Sequence, residues 1–267
     1  MRNLKVRRPA VANLSYPGAE NVLRQSIFGY LGHCAKRDFE GEVKAIIVPH
    51  GGYIYSGQTA AYAYKALKSL DLTKNWKVLL MGVSHKIPFI GAAVPNHGKW
   101  ETPLGLIDTI DIRDEIGEKE TITEVPNDGD EEYSLEVQVP FLQMIMEQFE
   151  LYPLTMGSIR ADFLARDLLE FCKRDDVVTV LSTTLSHDLD YEEAKKRDFE
   201  TSEAICDLDI EKMTERGDAC GRMGVLALMF VAKELGWKCK MLDYSNSGDT
   251  AGTKDNVTGY GSWVFYK

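Results

Sequence analysis

The sequence predicts one α/β domain built on an open sheet, and three observations carry that prediction. Three apolar runs rich in β-branched residues, Val43–Val48, Trp76–Gly82 and Val177–Leu181, have the length and composition of buried strands. The first is closed by Pro49, which has no N–H for a central ladder, and continues into His50, Gly51 and Gly52. A helical pattern follows, with Ser56 as its expected N-cap and Ala60, Ala63, Tyr64, Leu67 and Leu70 on one face. Strand, His, double Gly, helix is how an open α/β sheet presents a residue to a ligand. Finally, no Pro/Gly/Ser-rich linker and no repeat divides the 267 residues, so a single domain over 1–267 is expected.

The remaining elements follow from the same rules. Arg8-Pro9 to Tyr16-Pro17 is extended or turn-like, because residues before Pro avoid the α region. A helix starts at Pro17-Gly18 and runs to about Leu31. His33-Cys34 then lies at a helix end in polar surroundings and is read as structural. A short strand is expected over Ile90–Val94, a surface turn at His97, and a loop from Trp100 to Gly105 whose Trp packs over a neighbouring site. The polar stretch Thr109–Thr121 predicts one short exposed helix, and Val125–Asp130 a turn-rich loop. Leu135, Val139, Leu142, Met146 and Phe149 recur at helical spacing, with Pro140 placing the regular part from about Val139. Leu151–Thr155 reads as a strand and Ala161–Cys172 as a helix. Tyr191–Glu215 is charged enough to be a pair of solvated helices. Met223–Leu235 is nearly all apolar, hence a central helix with Gly236 as its cap. Lys238–Tyr244 and Gly261–Tyr266 read as the last strands. The Ser, Asn, Asp and Gly of the Ser245–Gly259 loop between them are expected to border the site.

Composition narrows the function. A net charge of −10 argues against nucleic acid and anionic membranes as partners. Five widely spaced Cys without a C-x-x-C pair argue against a structural zinc site. The basic start, Met1–Arg8, lacks the apolar core of a signal peptide, and no apolar run approaches ~20 residues. A cytoplasmic protein with reduced thiols is expected.

Three His stand just past strands: His50, His85 and His187. If the strands are parallel, all three emerge at the ligand-binding edge of the sheet. Cys220 precedes the buried helix, whose dipole favours a thiolate, both a nucleophile and a soft metal ligand. Two or three imidazoles with one anionic ligand make an open site for a divalent transition metal. Tyr53 and Tyr55 are candidates to shape the substrate pocket.

Several stretches together resemble the Memo family: Pro49–Gly57, Ser84-His85, Thr102–Gly105, Tyr133–Phe141, Leu185–His187 and Cys220-Gly221. The resemblance runs from Arg8-Pro9 to the last strand. It implies a central sheet with helices on both faces, similar to the class III extradiol dioxygenases, non-haem Fe(II) enzymes that open catechol rings. In those enzymes two His and a Glu hold iron and another His is the base. Carried over, His50 and His85 match the metal His, His187 matches the base, and Cys220 stands where the Glu would be. That replacement argues against ring cleavage, since thiolate favours copper or zinc over Fe(II) more than a carboxylate does. The implied cofactor is one divalent or redox-active transition metal: iron, copper or zinc. The sequence departs from the family pattern in having Tyr133 for a His and Thr184 for an Asp; Asp188 is a candidate substitute for the missing carboxylate, and all three are candidates to shape the pocket. The resemblance also suggests a radical SAM protein as a pathway partner, beside a small-molecule or peptide substrate.

The expectation is therefore a metal-dependent redox enzyme. Its rivals are a metal-free enzyme with Cys220 as nucleophile and His187 as base, and a non-enzymatic protein that binds metal or peptide.

Overall fold

The computed structural model describes residues 5–124 and 131–267, so the loop expected over Val125–Asp130 lies outside the described residues. The chain opens with β1 (Val6–Arg7), α1 (Glu20–His33), β2 (Val43–Val48), α2 (Tyr53–Leu67) and β3 (Trp76–Val83). Next come β4 (Ala92–Val94), β5 (Lys99–Thr102), β6 (Gly105–Asp108), α3 (Arg113–Ile116) and β7 (Ile122–Glu124). After a 3-10 turn at Glu136–Gln138 follow α4 (Val139–Ile145), β8 (Phe149–Met156), α5 (Ala161–Cys172) and β9 (Val177–Ser182). The chain ends with α6 (Tyr191–Cys206), α7 (Ile210–Arg216), α8 (Arg222–Leu235), β10 (Lys238–Asn246) and β11 (Gly259–Tyr266).

Eight strands form one mixed sheet in the order β10-β11-β2-β9-β3-β8-β4-β7. The centre, β2-β9-β3-β8, is parallel; β11 joins β2, and β4 joins β8, antiparallel. Along the central strands side chains alternate between two cores, because successive residues of a strand face opposite ways. Ala45, Ile47, Leu79, Met81 and Leu181 meet α5 and α8 on one face. Ile46, Val48, Val78, Leu80 and Val180 meet α1, α2 and α4 on the other. Helices thus cover both faces, as expected. Among the described residues no helix is long and apolar enough to cross a membrane.

Four local expectations are corrected. Helix α2 begins at Tyr53 with Gly52 as N-cap, not at Ser56. The turn there is tight enough that the Tyr53 N–H reaches the Ser15 carbonyl at 2.7 Å, and the Ser56 hydroxyl donates to Gly51 O from inside the helix. The Trp100–Gly105 stretch is a hairpin, with Gly105 at φ 119° and β5 pairing β1 in a small separate sheet. Trp100 packs under the Arg7 guanidinium, 4.8 Å from its ring centroid. The helix expected over Thr109–Thr121 shrinks to α3, and Phe149 opens β8 instead of ending a helix.

Candidate metal centre

The carboxyl edge of the parallel strands gathers the chemistry. His50 follows β2 across Pro49, and His85 lies two residues past β3. Strand β9 lies between β2 and β3, so its exit, Ser182-Thr183-Thr184, forms the floor between the two His. Cys220 stands just ahead of Gly221, the N-cap of α8. One ligand atom from each of His50, His85 and Cys220 lies within 4.8 Å of the others.

Each His is aimed by a hydrogen bond at its Nδ1. His50 is buried, and its Nδ1 lies 3.0 Å from Ser182 Oγ. Its Nε2 lies 3.4 Å from Cys220 Sγ. His85 Nδ1 lies 3.1 Å from Glu132 Oε1, and the other Glu132 oxygen accepts the His85 backbone N–H at 2.6 Å. A carboxylate on Nδ1 fixes the ring so that Nε2 offers its lone pair to a metal. The rings of His50 and His85 meet edge to face, 5.0 Å apart at 83°. The Tyr133 ring stacks on His85 at 5.0 Å and 12°.

The electrostatics favour an anionic sulfur. Burial opposes a Cys220 thiolate, but the charge and hydrogen bond of His50, with hydrogen bonds from His85 and Thr184, hold its pKa well below the ordinary thiol value. The Thr184 backbone N–H and hydroxyl both lie 3.3 Å from the sulfur. Burial likewise works against a charged His85, yet bonds to Cys220 and Glu132 push it up to about 9. Glu132 is buried, which disfavours its charge, but His85 and the Ser134 N–H bring it down to about 2.

These residues fit a transition ion. A tetrahedral ion with N and S ligands places them about 3.5 Å apart, and the His50 Nε2 to Cys220 Sγ separation is 3.4 Å. Three protein ligands leave a position free for substrate or water, as catalytic sites do. The 25% exposure of the His85 side chain shows that the site reaches solvent. Beside Cys220 opens a cavity of about 370 Å3, bounded by Val83, Met156, Asp218, Arg222 and Met223.

The other expected residues divide. Thr184 is central: its hydroxyl contacts both Cys220 Sγ and, at 3.0 Å, His187 Nε2. His187 itself is exposed, and Asp188 beyond it is exposed with φ 57°. Asp188 is not in the ligand group. Tyr133 lies over the His pair. Tyr55 is half-buried near Tyr260, whose ring presses on Gly51. Tyr53 is packed in the core with its hydroxyl on the Val137 carbonyl, 2.6 Å away, so its side chain does not line a pocket. The loop after β10 does border the site through Gly259, which exchanges backbone hydrogen bonds with Leu185 and Ser186. Sequence reasoning missed Glu132. Its signal was the last acid of the run Asp130-Glu131-Glu132, one residue before the Tyr133–Phe141 stretch.

The chain is similar to known proteins over nearly its whole length. The family model described as Memo-like protein matches residues 7–264. A MEMO1 family protein of Aquifex aeolicus is 34% identical, the alignment covering 98% of this chain and 100% of that one. One of Nitrosopumilus maritimus is 33% identical over 97% of this chain and 99% of its own. One of Thermoplasma volcanium is 31% identical over 97% and 98%. With its sheet, its His/His/Cys cluster and this full-length similarity, the chain belongs to the Memo family.

Proposed function

We propose that this protein is a metal-dependent redox enzyme in which His50, His85 and Cys220 hold one transition ion and His187 moves a proton at the substrate. The convergence of two imidazoles and a thiolate within 4.8 Å carries this reading. A bound iron or copper would supply electron or dioxygen chemistry, and zinc Lewis acidity. The chain's own residues supply the rest. Cys220 is held deprotonated, ready to ligate. Glu132 and Ser182 fix the two rings. The exposed His187 ring, now against Thr184, is free to turn to a substrate and take its proton. The cavity beside Cys220 gives room for a small molecule or a peptide side chain. The family resemblance adds a radical SAM protein as pathway partner to this proposal.

One observation favours a second reading. Cys220 Sγ and His50 Nε2, 3.4 Å apart, form the thiolate–imidazole pair of nucleophilic enzymes, with His50 and not His187 as the partner. Iodoacetamide labelling of Cys220, read by mass spectrometry, separates the two. The zinc-loaded protein is expected to resist labelling until a chelator removes the metal. Equally fast labelling before and after chelation would favour the metal-free enzyme.

A further inference from the structure

We propose that Ser182 and Gln138 are positioning residues that hold a proton on His50 Nδ1, through a relay whose hydrogens have only one possible arrangement. The relay can be solved from its acceptor-only ends. Ser182 Oγ lies 2.6 Å from the Ser134 carbonyl oxygen. Two oxygens that close need a hydrogen between them, and a carbonyl has none, so the single Ser182 hydroxyl hydrogen points at Ser134. Gln138 Nε2 lies 3.0 Å from the Pro49 carbonyl and 2.8 Å from Ser182 Oγ. The reverse amide orientation would set its oxygen against the Pro49 carbonyl, two acceptors face to face. The same assignment turns Gln138 Oε1 to the Tyr64 hydroxyl, which donates to it at 2.9 Å.

Ser182 has therefore spent its hydrogen on Ser134 and accepts from Gln138. Its only remaining role toward His50 Nδ1, 3.0 Å away, is to accept again. His50 Nδ1 must carry a proton, which leaves Nε2, the nitrogen bonded to Cys220 Sγ, as the one that can give up its hydrogen to an ion. All of these groups are buried, so water cannot substitute for a missing partner. The device differs from that of His85: Glu132 holds its ring with a charge, whereas the His50 relay is neutral and sets geometry without raising basicity as a carboxylate does.

The consequence for metal binding rests on the reading of His50 as a ligand; the Nδ1 proton does not. The test is therefore made first on the metal-free protein. Its ring 15N spectrum in alkaline buffer is expected to show a proton on His50 Nδ1, whether or not Nε2 also carries one. An Nδ1 without a proton would overturn the proposal. In Ser182→Ala that preference is expected to relax, and zinc affinity to fall about 10–100-fold, the usual cost of losing a partner behind a metal His. An unchanged His50 spectrum in Ser182→Ala would equally overturn it. Wild-type protein that shows the Nδ1 proton but takes up no zinc would refute the metal site and leave the relay standing.

Discussion

His50 and His187 both stand past the carboxyl end of a parallel strand, yet the protein treats them in opposite ways. His50 follows β2 by one Pro, is buried, and is held at both ring nitrogens by Ser182 and Cys220. His187 follows β9 by a four-residue segment, is exposed, and touches Thr184 through one nitrogen. The backbone before it is nonetheless fixed. Leu185 and Ser186 bond to Gly259, and the Ser186 N–H donates to the buried Asp198 carboxylate at 2.9 Å. The backbone is pinned from several sides, whereas the exposed ring hydrogen-bonds to Thr184 alone among the described residues. That contrast teaches a division of labour: a ligand needs one orientation, whereas a proton carrier must face substrate in one step and solvent in another.

The sharpest way to break this division is to remove the exposed ring. Under the proposed function, His187→Ala is expected to lower turnover ~10²–10⁴-fold, the usual cost of losing a general acid/base. A loss below tenfold would place the proton transfer elsewhere.

The next effect tests how the fixed side is held. Glu132→Gln keeps an acceptor for His85 but removes the charge, and is expected to weaken metal affinity about 10–100-fold. The same variant has a pH signature. With its pKa pushed up to about 9, His85 is cationic at neutral pH in the metal-free protein, so an incoming ion must displace its proton. Affinity measured by calorimetry should therefore rise as pH is raised toward 9, by about tenfold per pH unit for one displaced proton. Cys220, already a thiolate, adds no comparable slope. Without the Glu132 charge the His85 pKa falls and the dependence should flatten around neutral pH. An unchanged slope would mean that His85 is not the group displaced.

The smallest effect concerns Thr184, which bridges the two regions. Its hydroxyl is 3.3 Å from Cys220 Sγ, so a carboxylate there would lie beside the ion. Thr184→Asp is expected to raise metal affinity or turnover several-fold, by adding a negative charge next to a cation. No change in either would remove this position from the working site.

The same contrast shows what could be read from the sequence. Local chemistry was legible: the apolar runs that became β2, β3 and β9, the His past each, and a Cys at the start of an all-apolar helix. Each is set by residues within a few positions of one another. What escaped was set by partners far apart in the chain. That β9 threads between β2 and β3 depends on sheet order, which no local pattern encodes. The clamp on His85 comes from Glu132, 47 positions away, and the one on His50 joins Ser182 to Gln138 across 44. Tyr53 failed for a related reason: its neighbours in sequence point to the site, but its ring packs into the core against Phe141 and Tyr16.

The account stands or falls on which His holds the ion, and metal content answers that directly. Protein purified without added metal and assayed by elemental analysis should carry about one transition ion per chain, as three fixed ligands imply. His50→Ala, His85→Ala and Cys220→Ala should each bring this to about a tenth or less, whereas His187→Ala should keep most of it. If His187→Ala loses the ion as fully as His50→Ala does, the exposed His is a ligand and the division of labour is wrong.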